Sequence, residues 1–171
     1  MKRIKLLVLM LFVSFTLVEG LKAQSFLKGQ QTLHLGIGLG GGIGLPIGLG
    51  YEKAISDRIG VGAYAAFATE KESYGSGIGW RYNYILATAK GSYHFAVKGE
   101  KLDPYAGLSL GYNIASVKWE GSGSAPFSSS AGGFLWGIHV GSRYWFSDKL
   151  GAFGELGYGI SLLNVGVALK F

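Results

Sequence analysis

The chain has 171 residues, of which 30 are Gly, 3 are Pro and none is Cys; 14% are aromatic, only 15% carry charge, and the formal net charge is +6. This excludes an intrinsically disordered chain, which needs many charges and few aromatics, and a collagen, which needs Gly at every third position with abundant Pro. It also excludes a disulfide framework, a thiol nucleophile, Cys-ligated metal sites and a lipid anchor attached through an N-terminal Cys.

The first element is an address. Lys2, Arg3 and Lys5 precede an apolar run that starts at Leu6 and continues to Val18 with only Ser14 and Thr16 interposed. That is a basic segment followed by a hydrophobic one too short for the roughly 20 residues of a spanning helix, the pattern of a secretory signal peptide. Leu21 and Ala23 suit the minus-three and minus-one places of a cleavage site, so the predicted cut follows Ala23, with a cut after Gly20 as the alternative. The predicted organisation is a signal peptide over 1–23 and a single exported domain over 24–171. Removing the leader leaves twelve basic against nine acidic side chains, a balance of +3. No Lys/Arg stripe interleaved with aromatics remains, so nucleic acid is not an expected partner.

From Gln31 onward the hydrophobic period is two. Leu33, Leu35, Ile37 and Leu39 alternate with His34, Gly36, Gly38 and Gly40; Leu45, Ile47, Leu49 and Tyr51 then alternate with Pro46, Gly48, Gly50 and Glu52. After the polar turn Ser56-Asp57-Arg58, a third strand sets Ile59, Val61, Ala63, Ala65 and Phe67 against Gly60, Gly62, Tyr64, Ala66 and Ala68. A polar stretch over 70–77 separates it from a fourth strand whose apolar face begins with Trp80, Tyr82, Tyr84 and Leu86. Tyr93 and Phe95 have the opposite parity, which predicts a bulge near 87–91. A fifth strand follows with Ala106, Leu108, Leu110, Tyr112 and Ile114 on its apolar face, then a Gly/Ser-rich loop over 120–133. The sixth presents Phe134, Trp136, Ile138, Val140, Tyr144 and Phe146, and the seventh Leu150, Ala152, Leu156 and Tyr158. The last presents Leu163, Val165, Val167, Leu169 and Phe171. Eight strands of about ten residues, with short connections at 56–58, 96–102 and 147–149 and long ones at 70–79 and 120–133, predict an all-β fold: an eight-stranded antiparallel up-and-down transmembrane β-barrel.

Aromatic placement turns the apolar face outward. Tyr51, Tyr93, Phe95, Tyr144, Phe146 and Phe171 fall at the short-turn end. Phe67, Trp80, Tyr82, Tyr112, Phe134, Trp136 and Tyr158 fall at the long-loop end, with aliphatic residues between the two groups. Two girdles around an aliphatic band suit the two interfaces of a bilayer, whereas a soluble barrel has no reason to sort aromatics by height. The other face is mostly Gly, Ala and Ser, with Glu52, Arg81, Lys90, Arg143, Glu155 and Lys170 spaced along it. Its glycines are predicted to leave room in the interior for Tyr64, Tyr105, Trp145 and Phe153.

Several stretches carry a resemblance: the signal ending in Ala23-Gln24, the opening Leu102-Asp103-Pro104-Tyr105-Ala106-Gly107-Leu108, the strand Gly151-Ala152-Phe153-Gly154-Glu155-Leu156-Gly157-Tyr158-Gly159, and the terminal Val165-Gly166-Val167-Ala168-Leu169-Lys170-Phe171. Over essentially the whole mature chain the sequence resembles the small outer-membrane β-barrel proteins (OmpX/OmpA-like, porin-superfamily) of two-membraned bacteria. The resemblance implies a place in the cell outer membrane, contact with outer-membrane lipid, and Phe171 as the assembly signal read by the barrel assembly machinery.

Candidate chemistry is sparse. Gly36-Ile37-Gly38-Leu39-Gly40-Gly41 satisfies a dinucleotide-binding spacing, but no helix follows to receive a phosphate. Arg143 and Glu155 lie inward on successive strands and are expected to approach diagonally; Glu52 and Lys170 point inward near the short-turn end. These four are the predicted interior polar network, structural or pore-lining. His34, His94 and His139 sit on separate strands without ligand spacing, and His139 faces inward while Ser142 faces outward, so they do not form a nucleophile and base. No cofactor, metal or catalytic residue is expected. The function that follows is a non-enzymatic, monomeric barrel with a side-chain-filled interior, acting through its external loops in surface interaction or envelope integrity. A narrow channel for water, ions or small solutes is the alternative, and an outer-leaflet lipid-modifying enzyme the third reading.

Overall fold

The computed structural model describes residues 25–74, 79–120 and 129–171. The predicted signal peptide and its cut after Ala23, and the parts of the two long loops at 75–78 and 121–128, lie outside the described residues.

Among the described residues every element is a strand: β1 (Gln31–Leu39), β2 (Ile47–Ala54), β3 (Ile59–Ser73), β4 (Gly79–His94), β5 (Leu102–Glu120), β6 (Ser129–Trp145), β7 (Leu150–Tyr158) and β8 (Leu163–Lys170). Each pairs antiparallel with its successor, and β8 returns to β1 to close the barrel, from Thr32 opposite Lys170 to Leu39 opposite Leu163. Closure gives every strand two partners, which is what a sheet in hydrocarbon requires because no water is there to bond a free edge. The period of two sets the faces. Leu35, Leu49, Leu108, Leu110, Ile138, Val140 and Val167 are exposed on the outside, whereas Tyr64, Tyr105, Trp145 and Phe153 are buried within. Tyr51, Tyr93, Tyr144, Phe146 and Phe171 ring the short-turn end, and Phe67, Tyr112, Phe134, Trp136 and Tyr158 the other.

Glycines on the inner wall let large side chains lie flat across the neighbouring strand. Gly107 sits in register between Ser92 and His139, and these two meet over it at 3.2 Å; a Cβ on Gly107 would come within 2.6 Å of the imidazole Nε2. Gly141 sits likewise between Tyr105 and Glu155, and the phenol passes over it to donate to the carboxylate at 3.2 Å. An interior of eight strands is narrow enough to be filled by side chains. Here alternate large and absent side chains fill it.

Two expectations are corrected. The bulge near 87–91 is not there: β4 pairs in unbroken register with β3 from Ile59–Tyr93 to Ser73–Gly79 and with β5 from His94–Tyr105 to Gly79–Glu120. Tyr93 keeps the outward parity, so Trp80, Tyr82 and Tyr84 take the inward one and leave the outer girdle. Tyr84 packs against the interior cluster of Tyr64, Ala66 and Leu86, and Trp80 meets Trp119 edge-to-face at 4.9 Å. The strands are also unequal. β1, β2, β7 and β8 have 8 or 9 residues, but β3 to β6 have 15, 16, 19 and 17, so the predicted long loops at 70–79 and 120–133 are continued sheet over 70–73, 79, 120 and 129–133.

Candidate functional site in the barrel lumen

Four strands each send one ionisable side chain into the short-turn end of the lumen: Glu52 from β2, His94 from β4, Asp103 from β5 and Arg143 from β6. Burial of a charge is costly unless it is paired and its hydrogen bonds are met. Arg143 is only 2% exposed. Its Nη1 donates to Asp103 Oδ2 at 3.1 Å and its Nη2 to Glu52 Oε2, so one guanidinium bridges two carboxylates. The guanidinium also lies 4.7 Å from the centre of the Tyr105 ring. His94 closes the group, with Nδ1 2.7 Å from Asp103 Oδ1 and Nε2 3.4 Å from Glu52 Oε1.

The segment before β1 caps this cluster. Phe26, itself 2% exposed, stacks on the His94 imidazole with centroids 3.5 Å apart and planes 3° from parallel. Ser25 Oγ donates to the Leu102 carbonyl at 2.7 Å, and Lys170 Nζ donates to the Ser25 carbonyl at 3.1 Å while lying 4.2 Å from the centre of the Trp145 ring. The chain thus enters through the short-turn mouth and fills it.

A second polar group occupies mid-lumen. Lys90 Nζ donates to both oxygens of Glu155, at 2.8 and 2.9 Å, next to the Tyr105 hydroxyl and the Ser92–His139 pair. Two cavities of about 30 and 10 Å³ meet at Tyr64, Lys90, Glu155 and Asn164, room for single water molecules rather than for a solute. Towards the long-loop end the lumen turns apolar, with Ile43, Leu135 and Ile160 packed on the Tyr64, Ala66 and Leu86 cluster.

The predicted polar residues are therefore distributed over three places. Glu52 and Arg143 are directly paired. Arg143 does not meet Glu155 as expected: its guanidinium turns across the lumen to Glu52 and Asp103, and Glu155, opposite Gly141, faces Lys90. Lys170 serves the N-terminal cap, and Phe171 is exposed outside, its backbone bonded in both directions to Gln31. Asp103 and His94 were missed. Asp103 shares parity with the inward Tyr105, and His94 lies between the outward Tyr93 and Phe95, so both are legible from parity alone. Among the described residues no set of three His, Asp or Glu side chains is arranged to hold a metal ion. The Ser92–His139 pair brings a hydroxyl to an imidazole, enclosed by the wall of the barrel.

These features define a closed, filled, eight-stranded barrel with an apolar exterior, the outer-membrane β-barrel fold of the OmpX/OmpA-like kind. No family model matches the sequence, and no curated protein does. Among solved structures the chain is similar to the N-terminal β-barrel domain of Pseudomonas aeruginosa OprF, with a TM-score of 0.58 at 15% identity over 84% of this chain and 98% of that one. It is also similar to Ail, the attachment invasion locus protein of Yersinia pestis (0.53, 17%, over 85% and 100%), and to Neisserial surface protein A (0.55, 18%, over 83% and 96%).

Proposed function

We propose that this protein is a monomeric, non-enzymatic barrel integral to the outer membrane, closed to ions, which acts through the sheet that its four longest strands raise beyond the bilayer. Residues 1–23 serve as the export signal and Phe171 as the mark for assembly. The observation that carries this reading is strand length. About 9–11 residues cross a bilayer, and β3 to β6 exceed that by roughly five to nine residues at one end while β1, β2, β7 and β8 do not. Surface interaction or envelope integrity is the role such a sheet suits, and the similarity to an attachment invasion protein and a surface protein supports it.

The filled lumen supports the absence of conduction. An ion entering from the short-turn side meets Phe26 over the Arg143 cluster, and from the other side the apolar cluster of Tyr64, Ala66 and Leu86. The polar lining of the two small cavities favours the alternative, a narrow channel. Planar-bilayer recording of the purified protein separates them: silence with folding preserved is expected, and steady unitary conductance would establish the channel instead. The non-enzymatic reading is supported by the enclosure of Ser92 and His139, which lipid outside the wall does not reach.

A further inference from the structure

Beyond the girdle at the long-loop end, the inner face of the raised sheet carries rings and carboxylates together. The parity of the buried Ala68, Leu86 and Ser109 defines that face. On it stand Glu70 and Glu72 of β3, Trp80 and Tyr82 of β4, and Val117 and Trp119 of β5. Two rows cross it in register, Glu72–Trp80–Trp119 and Glu70–Tyr82–Val117. Tyr74, just past the end of β3, donates its hydroxyl to Glu72 Oε2 at 3.0 Å. The two carboxylates and Tyr74 are exposed, and Trp80, Tyr82 and Trp119 are half-buried. Because β1, β2, β7 and β8 are short, nothing in the sheet stands across from this face. Its charge has one sign. Among the described residues neither Glu70 nor Glu72 forms a salt bridge, and Lys71, Arg81 and Lys118 take the opposite parity. The connecting stretches at this end, 40–46, 75–78, 121–128 and 159–162, contain no charged residue.

We propose that this face docks an extended basic segment of a partner protein outside the cell, with Arg side chains two residues apart lying on the two rows. The pairing of ring and carboxylate supports this. Neighbouring strands lie about 4.8 Å apart, so a guanidinium placed between Glu70 and Tyr82, or between Glu72 and Trp80, reaches the carboxylate as a bidentate fork and the ring within the roughly 6 Å of a cation–π contact. Arg suits both contacts better than Lys because its plane stacks on a ring while its edge donates. Spacing supports it too. Glu70 and Glu72 are about 7 Å apart along the strand, the repeat of same-side residues in an extended peptide. A saccharide also stacks on aromatic rings, but a neutral one leaves two like charges on the face uncompensated, whereas a basic partner neutralises both.

The proposal rests on the reading of the raised sheet as the part that acts outside the cell, which protease accessibility on cells tests separately; the following titration in micelles does not depend on it. The folded protein in non-ionic detergent is titrated by calorimetry with the blocked peptide acetyl-Arg-Gly-Arg-Gly-Arg-Gly-amide, with its counterpart carrying Glu for Arg, with the same residues rearranged so that the Arg are consecutive, and with maltose. Saturable binding of the alternating Arg peptide is expected, weakened about fivefold by Glu70→Gln or Glu72→Gln and about 25-fold by both. Trp119→Leu weakens it about threefold, and the carboxylate pair decides the matter if that variant does not fold. Glu100→Gln, exposed at the opposite end, leaves it unchanged. No saturable binding, equal affinity for the Glu peptide, an undiminished double variant, or equal loss in Glu100→Gln would overturn the proposal. Maltose that binds and displaces the peptide would overturn it in favour of a saccharide platform, and equal affinity for consecutive Arg would overturn the two-residue spacing.

Discussion

Arg143 shows how much one buried side chain holds in place. Its guanidinium bridges Glu52 and Asp103, and both acids also face His94. Truncating it leaves two buried carboxylates without their shared partner, which costs about 3–5 kcal/mol. Arg143→Met is therefore expected to unfold at markedly lower urea in micelles than the native protein. Combining it with Glu52→Gln and Asp103→Asn should recover part of the loss; an Arg143→Met midpoint equal to the native one would show that the bridge does not stabilise the barrel. The sequence reveals that Glu52, Arg143, Glu155 and Lys170 face inward, because parity alone decides that. It does not reveal partners: β2 and β6 are not neighbours in the sheet, and the contact between Glu52 and Arg143 crosses the lumen, where no spacing rule along the chain applies.

At the scale of elements, the existence and order of all eight strands follow from the period of two, and the lengths of four do not. Strand ends are read from the point where apolar alternation stops, and in β3 to β6 it stops beyond the girdle of Phe67 and Tyr112, while the hydrogen-bonded ladder continues through Glu70, Lys71, Arg81 and Lys118. The same cause produced the false slip in β4. Trp80, Tyr82 and Tyr84 are apolar enough to suggest a lipid-facing side, but beyond the girdle the distinction between faces no longer follows hydrophobicity. Protease added to intact cells is expected to cleave within 70–82 and 116–133, in the raised hairpins, and to spare the turns at 55–58, 95–101 and 146–149; mass spectrometry of the released peptides checks this. Cleavage in those short turns would place the opposite end of the barrel outside.

For the whole molecule, the high glycine content and low charge have one explanation. A membrane barrel needs its apolar side chains outside, and a narrow one has room inside for a large residue on one strand only where the next strand offers none, as Gly107 and Gly141 do for His139 and Tyr105. A ring so closed and filled resists detergent at room temperature, so the unheated protein should migrate faster than the boiled one on a denaturing gel. A single mobility before and after heating would argue against the closed ring.

The seam between β1 and β8 carries a temporal consequence. β1 is completed early in synthesis, yet one of its two edges pairs only with residues 163–170. Closing a loop of that length costs more entropy than any hairpin in the chain, and an unpaired strand edge is a template for aggregation. The nascent protein thus spends nearly its whole synthesis with an open edge that nothing in its own sequence can yet cover. The arrival of the last strand sets the moment at which the ring can close.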